Sequence, residues 1–227
     1  MNNANQDATN IIINQLAVVA FETLAHTALD KISLDDVADA AGVDRDYAAV
    51  CAGTVSSLIL HHMTILDNQA TLETFEDLKD AGDVSIREKI LEAILHRFEI
   101  YNSHKKTVSS LAKFAVRNPQ LGLELLSKRI VITRRLLMMC GDNPHGWQGE
   151  ARIRGVVGVM VASARVWQKD ETPDLSMTMK EIDRRLEQAE DWGHSLGVFG
   201  RDKSANKSDS DNMTDNDITA DTGAYNE

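Results

Sequence analysis

The chain has 227 residues, a net charge of −11 and 43% hydrophobic residues, with only 3 prolines and 5% aromatic residues. This composition is that of a globular protein of one or two domains, and the scarcity of proline favours long helices over many short strands. Cys51 and Cys140 lie far apart, match no redox or metal-binding spacing, and are predicted to be free thiols.

Charge is distributed unevenly along the chain. Residues 1–70 contain nine acidic and two basic side chains, whereas residues 103–169 contain twelve basic and three acidic ones. The last 27 residues again have an acidic excess. Proteins that bind duplex DNA through an N-terminal domain ordinarily place basic side chains there. This pattern therefore argues against such binding.

The first elements predict a helix-turn-helix unit over residues 10–55, preceded by a disordered segment at residues 1–9. A long amphipathic helix comes first. Ser33 is a suitable N-cap for a short second helix, which ends at Gly42, and Asp44 caps a third. A glycine-linked short helix pair after a longer helix is typical of this motif.

Residues 56–200 predict a second, entirely helical domain. Ser85 opens a helix with an apolar stripe, Pro119 begins another, and residues 150–170 form a nearly continuous apolar helix with small residues along it. Residues 201–227 are rich in Asp, Asn and Ser, have no periodicity, and are predicted to be a disordered acidic tail.

The stretch SLDDVADAAGV, residues 33–43, resembles the second helix and turn of the TetR family. The matching positions continue into the third helix, and the helix-turn-helix residues are Val37, Ala38, Gly42, Val43, Arg45 and Tyr47. The resemblance implies an all-α, TetR-like fold. In this fold the three-helix helix-turn-helix unit precedes a C-terminal helical domain for ligand binding and dimerisation.

The third helix departs from the TetR pattern where DNA contacts are expected. TetR regulators usually begin this helix with Ser-Lys-Gly-Thr-Leu-Tyr, but here Asp44 and Asp46 flank the single Arg45. Later aromatic and lysine positions are Ala52 and Val55. Phosphate contacts supply most protein–DNA hydrogen bonds, so we expect a retained scaffold that does not read DNA.

The second domain resembles the TetR-fold accessory proteins of ubiquinone biosynthesis, the Coq-nine proteins, and their bacterial relatives. The resemblance is carried by residues 85–99, 104–119 and above all 164–190, which read ARVWQKDETPDLSMTMKEIDRRLEQAE. It implies a non-catalytic, dimeric, lipid-binding protein that presents an isoprenoid quinone precursor to a partner enzyme. The alternative is a TetR-family DNA-binding transcriptional regulator that senses a hydrophobic ligand.

Two sets of residues are predicted to carry these roles. Small residues at helical spacing either allow close helix approach or leave space for a ligand, and methionines suit an adaptable pocket. The candidate lipid pocket comprises Met138, Met139, Val159, Met160 and Ala162. The candidate dimer contact comprises Gly155, Gly158, Ala162, Ile182 and Leu186, on two helices expected to form an isologous four-helix arrangement.

A membrane contact is predicted at the end of the last helix, through Trp192, Leu196, Val198 and Phe199. The alternative is that this face packs on the body of the dimer. No nucleophile, metal-ligand or phosphate-binding motif is visible, so neither enzyme activity nor a cofactor or metal is expected. No signal segment or apolar span is apparent, which predicts a cytoplasmic protein, with the inner face of the membrane as a peripheral site.

Overall fold

The computed structural model describes residues 2–80 and 82–195, which form nine α-helices and no strand. The predicted all-α class is therefore confirmed for this part of the chain. The helices are α1 (Asn2–Thr23), α2 (Leu34–Ala41), α3 (Arg45–Cys51), α4 (Val55–Lys79), α5 (Ile86–Asn102), α6 (Lys105–Arg117), α7 (Pro119–Met139), α8 (Gly146–Trp167) and α9 (Ser176–Ser195).

The first three helices pack against one another and against α4. α1 begins at Asn2, so the prediction of disorder for residues 1–9 is wrong for residues 2–9. Neither Gly nor Pro interrupts residues 1–23, and the helix therefore continues through this polar start. Leu16 and Phe21 of α1 are completely buried, as is Ala38 of α2. These side chains form the core of the N-terminal unit.

Three helices begin at the residues that the sequence predicts, because local side chains satisfy their first backbone N–H groups. Thr54 and Ser57 form a capping box at the start of α4, and Ser85 forms another with Glu88 at the start of α5. The Asn118 side chain accepts a hydrogen bond from the backbone at the start of α7, whose first residue is proline. Such caps stabilise a helix by about 1 kcal/mol each.

α4 belongs to both parts of the molecule, since it packs on α1 of the N-terminal unit and on α5 and α7 of the second domain. At this junction the ring of Phe21 lies 4.6 Å from that of His62 and 5.4 Å from that of His104, between centroids. Burial and the neighbouring His104 lower the pKa of His62. The aromatic cluster thus joins α1, α4 and the start of α6 at this junction.

α8 and α9 are joined by a loop that Asp170 organises. Its buried carboxylate accepts hydrogen bonds from the backbone N–H and hydroxyl of Thr178, both at 2.7 Å, and from Thr172. Burial alone would raise the pKa of Asp170, but these hydrogen bonds outweigh it and lower the pKa to about 2. The ionised carboxylate thus holds the first turn of α9 against the end of α8.

The start of α8 lies in very close contact with the loop that precedes it. A Cβ atom at Gly149 would lie 2.2 Å from the carbonyl carbon of Pro144, so only glycine fits. The same loop carries Asp142, whose carboxylate pairs with Arg152 at 2.9 Å. The backbone contact therefore fixes the position of an ion pair at the surface of α8.

Both cysteines are free, as predicted, with Cys51 half-buried and Cys140 buried. Burial raises the pKa of the Cys140 thiol to about 12, which keeps it protonated and unreactive at neutral pH. Within residues 2–80 and 82–195, no individual helix combines the length and apolar character needed to cross a membrane. α3 and α4 meet that criterion only as a pair, bent by 70°.

Candidate functional site

The helix-turn-helix surface is built by short-range contacts. Ser33 caps α2 by accepting a hydrogen bond from the backbone N–H of Asp36, and Gly42 ends α2 at a φ of 66°. Asp44 caps α3 by accepting hydrogen bonds from Asp46 and Tyr47. A left-handed residue between two capped helices gives the sharp turn of this motif.

The predicted helix-turn-helix residues divide between the core and the surface. Val37 and Ala38 are buried beneath the turn, and Val43 is half-buried, so these three support the unit. Arg45 and Tyr47 are exposed on α3, as a surface for a partner requires. This division follows from the helical period, which turns every third or fourth residue toward the same side.

The exposed surface of α2 and α3 is acidic, and its arginine, Arg45, forms ion pairs with carboxylates of the same surface. The Nε atom of Arg45 donates to Asp39 at 2.8 Å, and its Nη1 lies 3.6 Å from Asp35. The hydrogen bond from Arg45 lowers the pKa of Asp39, and the same contact raises the pKa of the arginine. The guanidinium is therefore directed at its own unit rather than at an approaching phosphate.

A groove of about 1060 Å³ lies in the second domain, between α5, α8 and α9. Its floor on α8 comprises small or branched apolar residues, and Ile86 and Ile90 of α5 form one wall. A Cβ atom at Gly155 or Gly158 would meet no described atom within 4 Å. The small residues thus leave open space on this side of α8 rather than allowing α9 to approach more closely.

The structure separates the residues of the predicted lipid pocket. Val159 and Ala162 line the groove, whereas Met138, Met139 and Met160 do not. Met138 is 58% exposed at the end of α7, and Met139 is half-buried. Met160 is buried. Successive residues of a helix are rotated by about 100°, so Met160 does not face the groove as its neighbour Val159 does.

The predicted dimer residues also separate into two groups. Gly155, Gly158 and Ala162 line the groove. Ile182 is completely buried and Leu186 is 4% exposed, which places both in the core of the protomer. Their apolar stripe packs α9 onto its own α8, so the dimer contact predicted for these two residues is wrong. For Gly155, Gly158 and Ala162 on α8, the dimer contact remains a prediction.

The predicted membrane contact falls at the end of the groove. Trp192 is 72% exposed and lies at the rim. Leu196, Val198 and Phe199 lie outside the described residues, as does the predicted acidic tail. An exposed tryptophan beside an apolar groove is available to a ligand, a second protomer or a membrane surface.

Sequence reasoning missed the polar rim of the groove. Arg87 of α5 donates to the Asp183 carboxylate of α9 at 2.8 Å, and Arg152 of α8 pairs with Asp142. Arg185 also lines the rim. These pairs join residues up to 96 positions apart, and no local pattern signals them. The alternation of charge around an apolar floor suits an amphiphilic ligand.

Comparisons with known proteins identify the fold of the chain but not its family. No family model matches the chain, and no curated protein matches it. A solved structure described as the TetR transcriptional regulator from Nitrosomonas europaea ATCC 19718 has a TM-score of 0.62 and 15% identity, covering 79% of this chain and 98% of that one. The relationship to the ubiquinone-biosynthesis proteins receives no support from these matches. The chain has the all-helical TetR fold that its sequence predicts.

Proposed function

We propose that this protein is a ligand-responsive regulator of the TetR type. Its second domain binds a hydrophobic small molecule in the groove between α5, α8 and α9, and its helix-turn-helix unit gives the output. The observation that carries this proposal is the open space above Gly155 and Gly158, within a fold shared with a TetR regulator. The role is one of binding, not catalysis.

The dimensions and lining of the groove support a small-molecule ligand. Ligand sites in proteins commonly enclose about 300–1000 Å³ and combine an apolar lining with a few polar groups. The groove has this size, an aliphatic floor, and arginine and carboxylate side chains at its edge. A ligand with an apolar body and a polar end matches this arrangement.

We propose a homodimer formed through α8 and α9, with the exposed face of α8 at its centre. Val161 is 58% exposed on that face, one turn from the exposed Gly158. A second copy of this face would cover the open side of the groove as well as these apolar atoms. Dimerisation and ligand binding would then favour each other.

The acidic surface of α2 and α3 favours a second candidate. In this candidate the protein is a lipid-binding accessory protein that presents a quinone precursor to a partner enzyme and makes no use of DNA. The exposed Trp192 would then contact the inner face of the membrane. The engagement of Arg45 by Asp39 supports this candidate, because few groups remain to contact phosphates.

Native mass spectrometry of the full chain purified from its own host tests the common part of both candidates. We expect a bound apolar molecule, and we expect Gly155→Leu to remove it, because the new side chain begins in open space on the groove side of α8. Val116→Leu is the matched control, since it adds a methylene at an exposed position of α6 outside the groove lining. Equal ligand retention in both variants would contradict the proposed site.

Selection of duplex fragments from the host genome distinguishes the two candidates. An enriched sequence, released when the groove ligand is added, supports the regulator. No enrichment at about 0.15 M salt, together with a bound isoprenoid lipid, supports the accessory protein.

A further inference from the structure

Three charged side chains from three helices meet inside the second domain. Asp67 of α4 is 3% exposed, Arg97 of α5 is 2% exposed, and the Arg129 side chain of α7 is 20% exposed. One Asp67 oxygen, Oδ1, lies 3.1 Å from Nε of Arg97 and 3.2 Å from Nη1 of Arg129. The same oxygen accepts the hydroxyl proton of the buried Tyr101.

This cluster has more positive than negative charge. Two guanidinium groups face one carboxylate, and among the described residues no second carboxylate pairs with Arg97 or Arg129. Burial raises the pKa of Tyr101, which therefore stays protonated and donates to Asp67 without adding negative charge. One positive charge inside the domain is left without a counter-ion. An uncompensated buried charge is costly, so a binding anion would be strongly favoured.

The guanidinium of Arg97 also lacks good acceptors. Its Nε is buried and donates no hydrogen bond to any described group, although Oδ1 of Asp67 lies within ion-pair distance at 3.1 Å. Its two terminal nitrogens reach only the sulfur of Met160 at 3.9 Å and the Thr71 hydroxyl at 3.4 Å. Sulfur is a weak acceptor, and 3.4 Å is long for a hydrogen bond.

The partly exposed Arg129 marks the side from which an anion would enter. It lies on α7 beside Lys128, whose ammonium group is 3.4 Å from the Thr64 hydroxyl of α4. Lys128 and Arg129 thus place two positive charges on the outer side of the contact between α4 and α7, and Arg129 shares the carboxylate of Asp67 with the buried Arg97. The positive potential attracts an anion, and the apolar interior selects one with an apolar body.

We propose that Arg97 and Arg129 form a binding site for the carboxylate of an amphiphilic organic acid. Its two oxygens supply the acceptors that the guanidinium of Arg97 lacks, and its charge neutralises the cluster. This site shares no residue with the groove lining, so it goes beyond the function proposed for the groove. Because α4, α5 and α7 each contribute a charged residue, the ligand would join these helices.

Calorimetric titration of the full-length protein with sodium octanoate tests this proposal, with 1-octanol as the uncharged probe. We expect octanoate to bind and octanol to bind at least about tenfold more weakly. We expect Arg97→Met to reduce octanoate affinity by at least about tenfold, because the charge-assisted hydrogen bonds are lost. Arg129→Gln provides a second test if Arg97→Met does not fold. The control variant is Arg135→Met, which removes an exposed arginine from α7.

Gly155→Leu, the variant that fills the groove, distinguishes octanoate binding at Arg97 from octanoate binding in the groove. Octanoate binding that survives Gly155→Leu and falls with Arg97→Met supports a distinct carboxylate site. Binding that is lost with Gly155→Leu but kept with Arg97→Met overturns the inference and leaves the groove as the ligand site. Equal affinity for octanol and octanoate, or no octanoate binding at all, also overturns it.

Discussion

Replacing Asp67 with Asn is expected to destabilise the protein far more than replacing Arg97 with Met. The first change keeps the side-chain volume but leaves the buried Arg97 and the half-buried Arg129 with no carboxylate, so the cluster charge rises by one unit. Removing one member of a buried ion pair costs about 3–5 kcal/mol. The second change leaves Asp67 and Arg129 as a balanced pair. Since Arg97 has only weak other contacts, its loss should cost about 1 kcal/mol or less.

Urea denaturation followed by circular dichroism measures both effects as changes in the free energy of unfolding. Asp77→Asn, an exposed change on the same helix, is the control and should remain within about 0.5 kcal/mol of the wild type. In the double variant, Arg97→Met should restore most of the stability that Asp67→Asn removes, because one charge again remains instead of two. If the two single variants lose equal stability, or Arg97→Met loses more, the argument from charge balance is refuted.

Three further predictions concern other parts of the molecule. Asp39→Asn should release Arg45 and strengthen binding to an arbitrary duplex at low salt, measured by fluorescence anisotropy; unchanged binding would show that Arg45 does not face DNA. The pKa of His62 is lower in the folded than in the unfolded protein, so stability should decrease as pH falls below about 6.5, and His62→Asn should flatten this dependence in urea titrations. The ionised Asp170, with a pKa of about 2 against 3.8 unfolded, should contribute about 2 kcal/mol at pH 7, lost as pH falls from 4 to 2. Asp170→Asn should remove that contribution, and an unaltered acid transition would contradict the assignment.

The sequence predicts those features of the fold that depend on neighbouring residues. The starts of α4, α5 and α7 are local, because an N-cap and the backbone it binds lie within three positions of each other. The turn at Gly42 is local in the same sense. Each could be located without knowledge of the rest of the chain, which is why the helix-turn-helix unit was predictable.

The candidate site depends instead on rotational position and on distant partners. Composition indicated an apolar pocket, but only the packing of α8 shows that Val159 faces the groove and Met160 faces the core. The Asp67, Arg97 and Arg129 cluster joins residues up to 62 positions apart. Nothing in their spacing indicates that they meet, so neither the cluster nor the rim of the groove could be predicted.

The contact between Gly149 and Pro144 links position 149, which lies outside the groove, to the ion pair at the edge of the groove. Any side chain at position 149 must displace the backbone at Pro144 by more than 1 Å to reach an ordinary contact distance. That displacement would carry Asp142, two residues earlier, and with it the ion pair to Arg152 at the groove rim. We therefore expect Gly149→Ala to alter the selectivity of the proposed ligand groove, although the side chains that line it keep their chemical identity.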